Sequence, residues 1–272
     1  MIFNRVKQKY IAVDGHNLWC SEWKNNGEPL VLLHGGLSHT EKFAKYILPA
    51  VANSFHVFTY DRTAHGRTKI RNKFFNFEVQ TKELIKFLET VVKAPAHLIG
   101  HSDGGNIGLL ASLRRPDLVK SLVGIGMNYT YKSGLNYKNF DETISEEEAQ
   151  KFYQLSGQNL ATLKKIKKKA FHVWRTEPKL KISDLKKIKL PVLVVAGDDE
   201  PFSNKMTFEM YEALPNGRLA VIPGTSHELT KEKPKLLHAV IKDFYKDLSF
   251  PITRSPNRRF KRQQEILGFI NN

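Results

Sequence analysis

Cysteine is almost missing from this chain. Cys20 stands alone among 272 residues, so no internal disulfide can form, and no CxxC pair or Cys/His cluster offers the ligands of a structural zinc site. Long apolar runs are missing too. No stretch approaches the ~20 residues that span a bilayer, and Met1 to Val13, interrupted by Lys7 and Lys9, lacks the apolar core of a signal peptide. A cytoplasmic protein without stable membrane insertion is expected. Acidic residues are scarce beside basic ones: 27 Asp and Glu against 43 Lys and Arg leave a formal charge of +16. Such an excess raises nucleic acid, an anionic membrane or an acidic substrate as partners. No zinc finger, RNP-like motif or basic heptad region accompanies it, however. The basic clusters at Lys164 to Lys169 and at Arg254, Arg258, Arg259, Lys261 and Arg262 do not alternate with stacking aromatics. The charge reads as a lysine-rich solvated surface, and no nucleic-acid partner is expected.

What the chain does have is alternation. Short apolar runs at Leu30 to Leu33, Phe55 to Tyr60, His97 to Gly100, Ser121 to Gly126, Val192 to Ala196 and Leu219 to Ile222 have the length and composition of buried strands. Lys9 to Val13 and Asn17 to Trp23 flank Asp14-Gly15 as an opening hairpin. Helical periodicity over Phe77 to Val92 and from Asn106 separates the strands. The pattern is that of an α/β protein with a mostly parallel sheet covered on both faces. Between Met127 and Lys189 it changes to a polar, lysine-rich stretch with helices around Ser145 to Leu155 and Asn159 to Trp174, read as an inserted helical cap. The expected organisation is a core of residues 1–127 and 190–249, a cap of 128–189 and a basic tail of 250–272, loosely held.

The chemistry concentrates at Gly100-His101-Ser102-Asp103-Gly104, a G-x-S-x-G sequence between a strand and a helix. There a serine hydroxyl projects above the sheet at a helix N-terminus, where backbone N–H groups favour developing negative charge. Serine needs a base. Of ten histidines, His227 lies just past the last strand, within reach of the turn, whereas His34, His101 and His238 suit structural roles. An acid must orient that base, and Asp198-Asp199-Glu200 follow the penultimate strand. The order serine, acid, histidine is that of the G-x-S-x-G hydrolases. An oxyanion hole needs two preplaced donors: the N–H of Asp103 is one candidate, and Gly36, or alternatively Leu37, after His34-Gly35 is the other.

These segments, taken in order from about Lys9 to Leu248, resemble the α/β-hydrolase superfamily, and specifically its capped esterase-like serine hydrolases. Asp61-Arg62 with His65-Gly66-Arg67 resembles the family's D-R-x-G-H-G-x-S loop, with Ala64 where glycine is usual. Glu200 occupies the acid position of the family's G-x-x-D, with Asp199 as the alternative acid. The resemblance implies the α/β-hydrolase fold and hydrolysis of a small carboxylic ester through an acyl-enzyme on Ser102, His227 and Glu200, without metal or organic cofactor. Cleavage of amide, thioester, lactone or carbon–carbon bonds and cofactor-free perhydrolysis share that triad, and a non-catalytic small-molecule receptor is the alternative from another class. Trp174, Tyr129 and Phe171 of the insertion are the candidate pocket aromatics.

Overall fold

The computed structural model describes residues 7–71, 75–135 and 143–269. Eight strands form one sheet: β1 (Lys7–Val13), β2 (His16–Trp23), β3 (Pro29–Leu33), β4 (His56–Tyr60), β5 (Ala96–His101), β6 (Val119–Ile125), β7 (Val192–Asp199) and β8 (Gly217–Ser226). Their order is β1-β2-β4-β3-β5-β6-β7-β8. β1 and β2 pair antiparallel about the turn at Asp14-Gly15, β2 pairs antiparallel with β4, and every later pairing is parallel. This is the α/β-hydrolase architecture.

Unbroken apolar strands divide their side chains between two faces because successive residues point opposite ways. Leu30, Leu32, Ile99, Val123, Leu193 and Val195 join one core with α1 (Thr40–Val51) and α9 (Pro234–Lys246). Val31, Leu33, Leu98, Leu122, Val192 and Val194 join the other, under α2 (Phe77–Phe87), α3 (Asp103–Arg114) and α7 (Asn204–Ala213). A π-helical turn, Leu88–Val92, closes α2.

β3 has β4 on one side and β5 on the other. The chain therefore leaves β3 in one direction and returns past it in the other, opening a crevice beyond the carboxyl ends of β3 and β5, where ligands of open α/β sheets bind.

Between β6 and β7 the chain makes α4 (Glu146–Ser156), α5 (Leu160–Thr176) and α6 (Ile182–Leu185). Ser145 caps α4 and Asn159 caps α5, each side chain accepting an N–H three residues on. Thr130 and Lys179 pair as an isolated bridge, the Tyr131 N–H donates to the Pro178 carbonyl (2.8 Å) and the Leu180 N–H to the Tyr129 carbonyl (3.0 Å). The two ends of the insertion are thereby joined. Two further helices are described: α8 (Leu229–Glu232) ahead of α9, and α10 (Phe260–Ile266) near the C-terminus.

The last segment corrects an expectation. Arg258 donates to the carbonyls of Tyr211 (2.8 Å) and Leu214 (2.5 Å), Arg259 donates to that of Gly217 (3.1 Å), and the Arg258 guanidinium lies 4.3 Å from the Tyr211 ring centroid. The tail is seated on α7 and the start of β8 rather than hanging loose. Phe260, Ile266, Leu267 and Phe269 are exposed and anchor nothing, whereas Phe250 is half-buried.

Candidate active site

β5 runs straight into Ser102, which adopts φ 51° and ψ −119° before α3 begins at Asp103. Such a conformation costs a non-glycine residue roughly 1–3 kcal/mol and persists only where its surroundings enforce it. The flanking glycines explain how. A Cβ on Gly100 would lie 2.3 Å from the Gly104 carbonyl oxygen, and one on Gly104 would lie 2.1 Å from that of Leu33. The Ser102 N–H is held by the Ile125 carbonyl at 2.8 Å, so β6 fixes the turn from the other side.

His227 arrives on the loop after β8, and its Nδ1 contacts Glu200 Oε2 at 2.6 Å. Glu200 is sealed, with 1% of its side chain exposed, while His227 keeps 28% open. The other carboxylate oxygen accepts the Gly197 N–H at 3.0 Å. With Glu200 as acceptor, Nδ1 carries the proton and Nε2 is left as the basic nitrogen. Gly126, at φ +56°, leaves room for the pair: a Cβ there would lie 2.9 Å from His227 Nδ1 and 3.2 Å from Glu200 Oε1.

The neighbouring carboxylates are placed differently. Asp198 accepts the N–H groups of Gly224 (2.8 Å) and Thr225 (3.0 Å), bonds that hold its carboxyl below the usual range and latch the histidine loop to β7. Asp199 is exposed at the end of β7, in register with Ser226. Glu232 takes both the N–H and the hydroxyl of Ser226 at 2.8 Å. His101 donates its Nε2–H to the His227 carbonyl at 2.9 Å, and burial pushes its pKa down to about 3, so it is neutral when it does so. These fasteners were not legible in the sequence beyond the assignment of His101 to a structural role, because each depends on where the loop comes to rest.

The turn after β3 is built around a buried cation. Arg62, fully buried, donates from Nη2 to the Gly35 carbonyl at 3.0 Å and from its backbone N–H to His34 Nε2 at 3.2 Å. His34, kept neutral by burial, has its proton on Nδ1 and donates it to the same Gly35 carbonyl at 2.8 Å. In a trans peptide the C=O and the following N–H point opposite ways. Two donors on the Gly35 oxygen therefore turn the Gly36 N–H away from Arg62. Gly36 is the only residue type the place admits, since a Cβ would lie 2.5 Å from Asp103 Oδ2 and 2.6 Å from the Trp174 ring. Leu37 follows at φ 48°.

Asp103 is buried, which raises its carboxyl, with Arg62 and Trp174 opposing the rise. Its Oδ1 accepts the Trp174 Nε1–H at 2.9 Å, so α5 of the insertion is tied to the first residue of α3. Ser102, His227, Gly36, Asp103, Trp174 and Phe202 line one cavity of about 180 Å³. Phe171 packs edge-on beneath Trp174, ring centroids 5.2 Å apart, and Tyr129 is buried with its hydroxyl on Glu209. Of the three aromatics expected to line the pocket, Trp174 does so, whereas Phe171 and Tyr129 are not part of that lining, and Phe202, meeting the His227 ring edge-on at 6.1 Å, is a wall residue from outside the insertion that the sequence did not mark.

The loop after β4 accounts for a departure noted in the sequence. Ala64 sits at φ 68°, a left-handed conformation that glycine adopts without strain, and Gly66 packs against Asp61, where a Cβ would lie 2.1 Å from the carboxylate. Asp61 accepts the N–H of Thr40 (2.7 Å) and of Arg67 (2.8 Å), joining this loop to the start of α1. Among the described residues no group of three or more His, Cys, Asp or Glu side chains is placed to hold a metal ion, and no helix is long and apolar enough to cross a membrane.

With this geometry in place, residues 28–145 match the family model described as the alpha/beta hydrolase fold. The sheet order and the structural likeness give the chain the α/β-hydrolase fold, and residues 28–145 are similar to that family in sequence. It is 27% identical over 267 residues to the uncharacterized hydrolase YugF of Bacillus subtilis (strain 168), a match covering 86% of this chain and 96% of that protein. The monoglyceride lipase of Rattus norvegicus is 32% identical over a shorter stretch, 39% of this chain and 38% of the lipase. Among solved structures, a serine hydrolase involved in carbazole degradation superposes with a TM-score of 0.73 at 19% identity, covering 89% of this chain and 99% of that one. Hydrolases thus surround this chain in sequence and in fold.

Proposed function

We propose that this α/β hydrolase is a serine esterase that cleaves a small carboxylic ester through an acyl-enzyme. Ser102 Oγ attacks the ester carbonyl while His227 Nε2 takes its proton. The tetrahedral oxyanion is held by the N–H groups of Gly36 and Asp103. Collapse breaks the bond to the leaving alcohol, which receives the proton from His227. Water then attacks the acyl-serine with His227 again as base, and the carboxylic acid departs with Ser102 restored. Glu200 holds the imidazole orientation and steadies its positive charge.

The observation that carries this reading is the 2.6 Å contact of His227 Nδ1 with a carboxylate that is only 1% exposed, beside a strained serine in the same cavity. A second cavity of about 400 Å³ meets the first at Leu37, Ser38 and Lys42 and is lined from the insertion by Glu148, Lys151, Phe152, Leu155, Leu163 and Ile166. The last four offer an apolar wall for the acyl portion, in keeping with the lipase relationship. The test is covalent labelling by a fluorophosphonate together with turnover of short acyl esters. Labelling confined to Ser102 and a Ser102→Ala loss of turnover on the order of 10⁴ to 10⁶ is the expected result. Undiminished ester hydrolysis by Ser102→Ala would overturn the mechanism.

A further inference from the structure

The cavity that holds Ser102 and His227 carries two lysines in its lining, Lys42 from α1 and Lys231 from α8. They lie close enough to interact: the charge of Lys42, added to burial, holds the Lys231 ammonium below its usual pKa, and both lysines act the same way on His101. Three carboxylates share the lining, and each is already engaged. Asp103 accepts from Trp174 at 2.9 Å, Glu177 accepts the Phe77 N–H at 2.8 Å, and Glu228 pairs with Lys231. Among the described residues Lys42 has no such carboxylate. Glu228 offsets Lys231, which leaves Lys42 as the cation of this lining that can meet the charge of an anionic ligand.

We infer that the substrate is an anionic ester, whose carboxylate or phosphate group is seated by Lys42 with Lys231 behind it. The inference rests on the esterase reading above and narrows it to a substrate class. Lys42 stands where the catalytic cavity meets the apolar one, so the anion sits at that junction, beside the reacting carbonyl rather than beyond the apolar arm. An ammonium on a flexible stem suits a headgroup of either geometry, since it acts as a point charge and not as a planar fork.

Binding is measured calorimetrically on the Ser102→Ala chain, so that no ligand is consumed and the result does not depend on serine acting as nucleophile. Monomethyl suberate, its neutral dimethyl ester and hexyl phosphate are the probes. An anion should bind about tenfold or more tightly than the diester, and whichever anion binds better identifies the headgroup. Lys42→Gln should abolish the preference and Lys42→Arg should keep it. Glu228→Gln, which releases Lys231 from its ion pair, should strengthen it. Equal affinity for the neutral and anionic probes, or a preference that survives Lys42→Gln, overturns the inference. Failure of the esterase reading shows itself separately, as absence of fluorophosphonate labelling in the unsubstituted chain.

Discussion

At the scale of single residues, three consecutive carboxylates after β7 do three different things, and amide substitutions separate them. Glu200→Gln should lower ester turnover roughly 10³- to 10⁴-fold, because an amide in that place can no longer hold Nδ1–H as donor and the wrong tautomer is populated. Asp199→Asn should leave turnover close to normal, since that side chain stands in solvent. Asp198→Asn should act between them, loosening the Gly224 and Thr225 bonds that fix the loop; steady-state kinetics on one ester orders the three. Arg62 makes a different case, as it touches no reacting atom. Arg62→Met removes one of two donors from the Gly35 carbonyl, and kcat should fall tenfold or more, part of the 10²–10³ that a lost oxyanion donor costs, with KM changed less. A fall in KM-controlled binding alone would show that Arg62 does not orient the Gly36 N–H. Ser102, His227 and the acidic stretch are legible in sequence because glycine spacing and strand context mark them. The work of Arg62, His101 and Asp198 is not, because hydrogen bonds to backbone carbonyls and amides leave no spacing to read.

Among the elements, buried strands are the readable ones: each is a short apolar run, and all six parallel ones lie within a few residues of where hydropathy puts them. α1 is the instructive omission. Phe43, Ala44, Ile47, Leu48 and Val51 are buried at helical spacing, yet Pro49 stands inside its last turn, where it gives up a backbone bond and breaks the pattern a reader looks for. Lys42 rides on that helix, so its place beside the site was hidden with it. The C-terminal segment errs in the opposite sense. Arginine clusters read as solvated charge, but Arg258 and Arg259 reach backbone carbonyls at the end of α7 and the start of β8, donors of a kind that leave no apolar signature. Ending the chain at Leu248 should therefore lower the melting temperature, on the order of 2–4 °C for each kcal/mol lost, with Arg258→Ala reproducing part of the change. Unchanged thermal melting of the shortened chain would return this segment to the status of a loose tail.

For the molecule as a whole, buried imidazoles couple the fold to pH. Burial takes His65 and His101 from the ordinary 6.5 to about 3, and lowers His34 well below its usual value. Below about 6.5 the unfolded chain binds protons that the folded chain refuses, so the stability these groups contribute is complete above that pH and is lost as it falls toward 3. Melting temperature should drop between pH 7 and pH 5, two values spanning the 6.5 of an unfolded histidine, and drop less steeply in His65→Asn. The paired comparison isolates the imidazole from Asp61 and Glu83, whose burial raises their pKa and which act in the opposite sense. A parallel pH dependence in the two proteins would remove His65 from the account.

The joined ends of the insertion have a consequence for how such a scaffold changes its diet. Because residues 129–131 lie against 178–180, the helices α4 and α5 between them are joined to the sheet through one narrow doorway, and the strands on either side need not know what lies beyond it. A different stretch of chain spliced at that doorway could reshape the apolar chamber while Ser102, His227 and Glu200 keep their footing on the sheet. Three ties among the described residues would have to survive the exchange: Trp174, which reaches back to Asp103, Glu177, which reaches the first residue of α2, and Ser133, whose carbonyl accepts the Ser203 N–H at 2.9 Å. On the esterase reading proposed above, selectivity would then travel with an exchangeable segment held by those three pins.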